Sequence, residues 1–199
     1  INIDLKSLNS KIASSTKEYS NNIIKHLTKS YFDIVEIHNR PIMVEDFVKS
    51  IESKIILYLH NDPKTMKGSK TKNEKLFLLE NVDKIVFISE WVKKQFFSNL
   101  DFSDHNKTEV IYHSIDPIKK LSKKKKQIVF VGKLNEAKGY DLFCEAVDKV
   151  LKKYDDWKAF SIGDEKRFQE YYRNKKQINL GLLDNKKVLK IFQETEIAV

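Results

Sequence analysis

The stretch Ile128-Val129-Phe130-Val131-Gly132-Lys133-Leu134-Asn135-Glu136-Ala137-Lys138-Gly139-Tyr140 decides how this chain is read. Its apolar run has the composition of a buried strand, and Gly132 ends it. A loop follows that carries Lys133 and Lys138. Gly139 then leads into a segment with Leu142, Phe143, Ala146, Val147, Val150, Leu151 and Tyr154 at helical spacing. Strand, loop and helix start together make an anion site. Gly132 lets a ligand approach the backbone, the helix end offers N–H groups without intrahelical partners, and the lysines add charge. Such chemistry suits a diphosphate. The same spacing also fits a plain βα unit with solvated lysines, so the rest of the chain has to separate the two readings.

Working outward, strand and helix signals alternate almost throughout. Ser14 to Ser30 reads as a helix with Ile23, Ile24 and Leu27 inward, Phe32 to His38 as a strand, and Val44 to Ile51 as a short helix. Lys54 to His60 is nearly all apolar, as a central parallel strand should be. A loop from Pro63 to Thr71 precedes a helix over Glu74 to Glu80. Lys84 to Ile88 is a buried strand, with Ser89 placed to cap the helix Glu90 to Leu100, whose Trp91, Val92, Phe96 and Phe97 read as core. Thr108 to Tyr112 is a strand. After the Lys-rich segment come the strand Gln127 to Val131, the helix Tyr140 to Tyr154 and the strand Lys158 to Ile162. A helix Lys166 to Asn174, a strand Ile178 to Leu180, a helix Lys186 to Gln193 and a strand Ile197 to Val199 complete the pattern. This alternation implies an α/β fold of two Rossmann-like domains, with parallel sheets flanked by helices. The expected boundaries are 1–118, a linker at 119–126 and 127–199, with a ligand cleft at the carboxyl ends of the strands. Both ends look cut, so the second domain is expected to be incomplete.

Composition narrows the class. The chain has 199 residues, 41% hydrophobic and 33% charged, which suits a globular protein. No apolar run approaches the roughly 20 residues of a membrane span. The single cysteine, Cys144, has no partner within the chain, sits at a helical packing position and fits a reducing cytoplasm. A net charge of +9 favours anionic partners. No zinc spacing and no RNP-like aromatic motif accompanies it, so nucleic acid is not the expected partner. Lys123 to Lys126 reads as solvated linker before it reads as a binding patch for a phosphorylated or membrane-bound acceptor.

The motif Gly132-Lys133 with Lys138-Gly139 resembles the G-R-x-x-x-x-K-G signature that opens the C-terminal domain of glycosyltransferase family 4, in the GT-B superfamily. Other segments follow in order. Phe32 to Pro41 resembles the strand D-V-V-H-x-H-N, and Leu59-His60-Asn61-Asp62 the later strand ending in His-Asp or His-Asn. Val82 to Glu90 resembles the stretch before the crossover helix. Val110 to Asp116 resembles V-I-x-N-G-V-D, with His113-Ser114 in place of Asn-Gly. Phe160 to Asp164 resembles I-G-x-G, and Asn179 to Leu183 resembles F-x-G-x-V. Two parts of that family pattern have no counterpart here, an N-terminal Gly-rich loop and an E-x7-E segment.

The resemblance implies a retaining hexosyltransferase. A nucleoside diphosphate sugar, UDP-sugar included, would donate a hexose to a glycan or lipid-linked acceptor in bacterial cell-envelope polysaccharide synthesis. Gly132, Lys133, Lys138 and Gly139 would hold the donor diphosphate, with Lys133 lacking the bidentate fork of the family's Arg. Gly163, Asp164, Gly181, Leu182 and Leu183 would lie at the nucleotide. His60 is the leading catalytic candidate, and His38, Asn39 and Asp62 would face acceptor or sugar. The developing diphosphate charge would be met by fixed cations and N–H groups, so no metal and no cofactor is expected. The enzyme would be cytoplasmic, with a peripheral contact to the inner membrane face left open. Two rivals stand: another nucleotide-sugar enzyme on this fold, such as an epimerase, and a non-enzymatic basic module that binds nucleic acid. A phosphorylase of this fold would need a pyridoxal-binding lysine that the sequence does not mark.

Overall fold

The computed structural model describes residues 16–30, 32–115, 122–164 and 175–199. The chain divides into two compact units between Ile115 and Asp116.

In the first unit four strands pair in parallel in the order β1 (Ile34–His38), β2 (Lys54–Leu59), β3 (Lys84–Phe87) and β4 (Thr108–Val110). Helices α1 (Thr16–Leu27), α2 (Val44–Val48), α3 (Lys72–Asn81) and α4 (Glu90–Phe97) alternate with them. Strand β2 buries Ile55, Leu57 and Leu59, while Ile56 and Tyr58 on its other face stay half-buried. The core adds Val44, Phe47, Leu78, Ile85, Phe87 and Phe96, with Ile23, Ile24 and Leu27 of α1 packed against it. Ser89 caps α4, its hydroxyl accepting from the Val92 N–H at 3.2 Å. Trp91 departs from the expected core set and is 55% exposed, because α4 turns Val92, Phe96 and Phe97 to the sheet instead.

Helix α3 begins two residues earlier than its apolar pattern suggests, because Thr71 and Glu74 form a capping box. Glu74 also accepts from the N–H groups of Gly68 at 3.1 Å and Lys70 at 2.8 Å. Burial would raise its pKa, but these backbone bonds and those from Thr71 outweigh it and hold the carboxyl low. Gly68 is fixed by the same loop. Its φ is +89°, and a Cβ there would stand 2.4 Å from the Ile42 nitrogen. Lys75 is fully buried and reaches Asn99 Oδ1 at 2.5 Å. Burial pushes its ammonium below the usual lysine value.

The second unit holds β5 (Lys125–Val131), β6 (Lys158–Ile162), β7 (Gln177–Asn179) and β8 (Thr195–Ala198), parallel in the order β7-β6-β5-β8, with α5 (Tyr140–Lys153) and α6 (Asn185–Glu194). The expected linker is corrected at its end. Lys125 and Lys126 belong to β5, where Lys125 is in register with Thr195 of β8. Glu194 pairs with Lys125, and Asp156 with Lys126 at 2.5 Å, so neighbouring carboxylates neutralise this part of the lysine run.

The stripe expected on α5 is also corrected. The helix buries Tyr140, Phe143, Cys144, Val147 and Leu151, whereas Leu142 is 67% and Tyr154 46% exposed, and Ala146 is exposed. The helix is rotated so that the 140/143/144/147/151 positions meet the sheet. Leu142 and Ala146 instead line an apolar groove of 660 Å³ that runs from Lys138 to Ile197 and Val199. The helix expected at 166–174 and the linker at 119–121 lie outside the described residues.

Candidate functional site

Ligands of open parallel sheets bind at the carboxyl ends of the strands, and both units place their distinctive residues there. In the first unit, His38 closes β1 and His60 follows β2 directly. Asn39 has φ +56°, in the left-handed region that Asn tolerates better than most residues. Its N–H donates to Tyr58 O at 2.9 Å, and its side-chain Oδ1 accepts from the His60 and Asn61 N–H groups at 2.9 and 3.3 Å. Asn39 therefore ties the ends of β1 and β2 together. Asp62 likewise caps a 3-10 turn, Pro63–Thr65, by accepting from the Lys64 N–H at 3.0 Å. Both residues expected at sugar hydroxyls thus carry structural bonds through those oxygens.

The histidines meet. His38 Nδ1 lies 2.9 Å from His60 Nε2, and His60 Nδ1 lies 3.0 Å from His113 Nε2. His38 Nε2 lies 3.4 Å from Glu36 Oε2. The His38 ring stacks on Tyr58 at 4.5 Å with the planes 5° apart. Burial, then His38 and His113, lower the pKa of His60, because an added charge there would be poorly solvated and repelled. Burial and then the Glu36 carboxylate raise that of the Tyr58 hydroxyl. The rings form a chain rather than a cage, since the two nitrogens of His60 face different partners. Among the described residues no group of three His, Cys, Asp or Glu side chains is arranged to hold a metal ion.

Glu36 and Tyr58 were not singled out in the sequence. The signal was a polar residue every second position at the end of an otherwise apolar strand, 36 and 38 in β1 and 58 and 60 at β2. With period-2 alternation these share a face, and the parallel register pairs His38 with Tyr58.

In the second unit, Gly132, Gly163 and Gly181 follow β5, β6 and β7 and meet backbone to backbone. Gly132 N–H donates to Ile162 O at 3.0 Å, and Gly163 N–H to Gly181 O at 2.9 Å. A Cβ on Gly163, whose φ is +146°, would stand 1.8 Å from the Gly132 oxygen. Gly163 is therefore a packing requirement. Gly139 and Gly181, at φ +72° and +66°, have nothing within 4 Å of a Cβ position, so their backbones are open to a ligand.

Lys133 precedes, and Lys138 ends, a 3-10 turn, Glu136–Lys138, that carries the chain into α5. Both are exposed, and among the described residues neither ammonium has a hydrogen-bond or ion-pair partner, whereas Lys125, Lys126, Lys152 and Lys187 of the same unit do. Asp164 and Leu182 are exposed and Leu183 half-buried at the neighbouring strand ends. Two unpaired cations, open glycine backbone and a helix start suit a phosphate-bearing ligand.

The fold, parallel sheets flanked by helices, is that of the GT-B structures on which the chain superposes, and the chain covers only part of it. Residues 113–198 match the family model described as Glycosyl transferases group 1, a match that takes in the described second unit almost entirely. The chain is 27% identical to the putative glycosyltransferase YtcC of Bacillus subtilis over 187 residues, 79% of this chain and 45% of that protein. It superposes on Anabaena HepE in complex with UDP and glucose with a TM-score of 0.66, at 12% identity, over 96% of this chain and 58% of HepE. It superposes on the lipopolysaccharide outer core galactosyltransferase WaaB with a TM-score of 0.57, at 18% identity, over 100% of this chain and 56% of WaaB. The chain thus spans about half the length of the proteins it resembles.

Proposed function

We propose that the chain is part of a glycosyltransferase that moves a hexose, with retention, from a nucleoside diphosphate sugar to a glycan or lipid-linked acceptor. Lys133, Lys138 and the N–H groups at the start of α5 bind the diphosphate, and the open backbone of Gly139 allows its close approach. Gly181, Leu182 and Leu183 border the nucleotide, with Asp164 beside them. The histidine edge of the first unit meets sugar hydroxyls. Bond cleavage leaves charge on the diphosphate, and fixed cations stabilise it without a metal ion. The observation that carries the reading is the pair of exposed lysines, without partners among the described residues, in the loop that leads to Gly139, inside the segment that matches the family model. HepE, with UDP and glucose bound, makes UDP the first nucleotide to test. The setting of this reading is envelope polysaccharide synthesis at the cytoplasmic face. No helix among the described residues is long and apolar enough to cross a membrane.

Calorimetry with UDP, GDP, ADP and UDP-glucose tests the donor site. One nucleotide should bind saturably in the presence of EDTA. Lys138→Ala should weaken it at least about tenfold, roughly 1.4 kcal/mol, and Lys133→Ala less. Binding indifferent to both substitutions would remove this site from the reading. Steeply salt-dependent binding of RNA or DNA without nucleotide affinity would replace it with a basic nucleic-acid module.

A further inference from the structure

Several lysines of the first unit are neutralised. Lys49, Lys72, Lys84 and Lys93 each pair with a carboxylate at 2.5 to 2.8 Å. Lys64, Lys67 and Lys70 differ. They stand exposed in the loop after β2, three residues apart, and their ammoniums have no partner among the described residues. Arg40, in the loop after β1, is exposed and equally without a partner there. Gly68 joins the two loops, since a Cβ on it would strike the Ile42 backbone.

The lysine loop is tied down. Ser69 is buried, and its hydroxyl donates to Pro63 O at 2.8 Å. The carboxylates of Asp62 and Glu74 are taken by backbone N–H groups rather than by lysine ammoniums. Helix α4 packs on the Pro63–Thr65 turn. Its first turn carries Trp91, and Lys94 follows one turn on, both exposed. Ile42 is exposed as well. Glu90, beside Trp91 in sequence, offsets one of these charges. A plain solvated lysine face would not need large apolar side chains set among its cations.

We propose that Lys64, Lys67 and Lys70, with Arg40, Ile42 and Trp91, form a docking surface for an anionic lipid bilayer. Lysine stems lie along the apolar layer while their ammoniums stay among the headgroups. An indole settles at the same depth, with its ring in apolar surroundings and its N–H wet. Each lysine near an anionic leaflet strengthens binding about fivefold. A loop already fixed loses little freedom on docking. Nucleic acid fits less well, because single strands are held by successive stacking rings, and this surface offers one ring and an isoleucine. The loop begins two residues after His60, so docking holds the carboxyl edge of the first sheet near the headgroups. The inference goes beyond the donor reading and does not rest on it.

The test is flotation of the chain with phosphatidylcholine vesicles, with and without phosphatidylglycerol. The chain should float only with the anionic vesicles, and about 0.5 M salt should release it. Lys64→Gln, Lys67→Gln and Lys70→Gln together should lower the partition coefficient about a hundredfold. Lys123→Gln, in the other lysine run, should leave it unchanged. Trp157→Phe leaves Trp91 as the sole indole, whose emission should shift to the blue on binding. Should the triple variant fail to fold, Trp91→Ala should weaken flotation about tenfold. Equal flotation with neutral vesicles, or flotation indifferent to the loop substitutions, would overturn the proposal. So would binding without a change in Trp91 emission. Release of the vesicles by inorganic phosphate at matched phosphate would show a site for the free anion instead. Tighter binding of poly(U) RNA, lost in the triple variant, would give the surface to nucleic acid. The assay contains no nucleotide sugar, so its failure leaves the donor site standing, and loss of the donor site leaves this surface standing.

Discussion

At the edge of the first sheet His38, His60, His113 and Asn39 are bonded to one another and to backbone at about 3 Å, and every ring has a set orientation. At the edge of the second, Lys133 and Lys138 have no partner among the described residues, and nothing lies within 4 Å of a Cβ position on Gly139 or Gly181. The first edge is held by directional side-chain bonds. The second is fixed through its backbone, and its two lysine side chains stand exposed. The contrast implies that single substitutions at the first edge change geometry, while those at the second change electrostatics, unless they touch the glycine contact beneath.

Gly163 is that exception and should show the largest effect. Gly163→Ala places a methyl at 1.8 Å from the Gly132 oxygen in a φ that L residues rarely adopt. The cost should be about 3–5 kcal/mol. Urea unfolding followed by hydrogen exchange should show β5 and β6 losing protection and nucleotide binding lost, with the histidine spectrum of the first unit unchanged. Retained nucleotide affinity would mean that the backbone of Gly132 and Gly163 does not shape the donor edge.

Asn39 is the counterpart at the first edge. Asn39→Ala removes the acceptor for the His60 and Asn61 N–H groups and puts alanine at φ +56°. A loss of about 1–3 kcal/mol is expected, read as a lower urea midpoint, with the His60 ring signals displaced and UDP affinity unaltered. A shift in UDP affinity would break the separation of the two edges.

The parallel βα alternation was legible because buried strands and amphipathic helices carry their own periods. Gly132, Lys138 and Ser89 announced themselves by type and spacing. What stayed hidden depends on partners distant in sequence. Lys125 and Lys126 look like linker until Glu194 and Asp156 are seen beside them. Leu142 and Cys144 swap burial because the rotation of α5 is fixed by the sheet, which no helical wheel contains. The early start of α3 was readable from Thr71 and Glu74 as a capping box. The histidine chain was not, because Glu36, His38, His60 and His113 come from three strand ends, and only parallel register brings them together.

The smallest effect separates the units by acidity. His60 has a lowered pKa in the folded chain, so below its ordinary value of about 6.5 the unfolded chain binds a proton that the folded chain resists. Stability of the first unit should then be full above that pH and fall as pH drops through it. The second unit has no histidine, since the five of this chain all lie at or before His113. Between pH 7.5 and 5.5 the urea midpoint of the first unit should therefore decrease, and exchange protection of β5 and β6 should stay constant. His60→Gln should flatten the dependence of the first unit. A parallel loss in both units would mean that they unfold as one cooperative body, and the contrast between their edges would then belong to chemistry alone and not to stability.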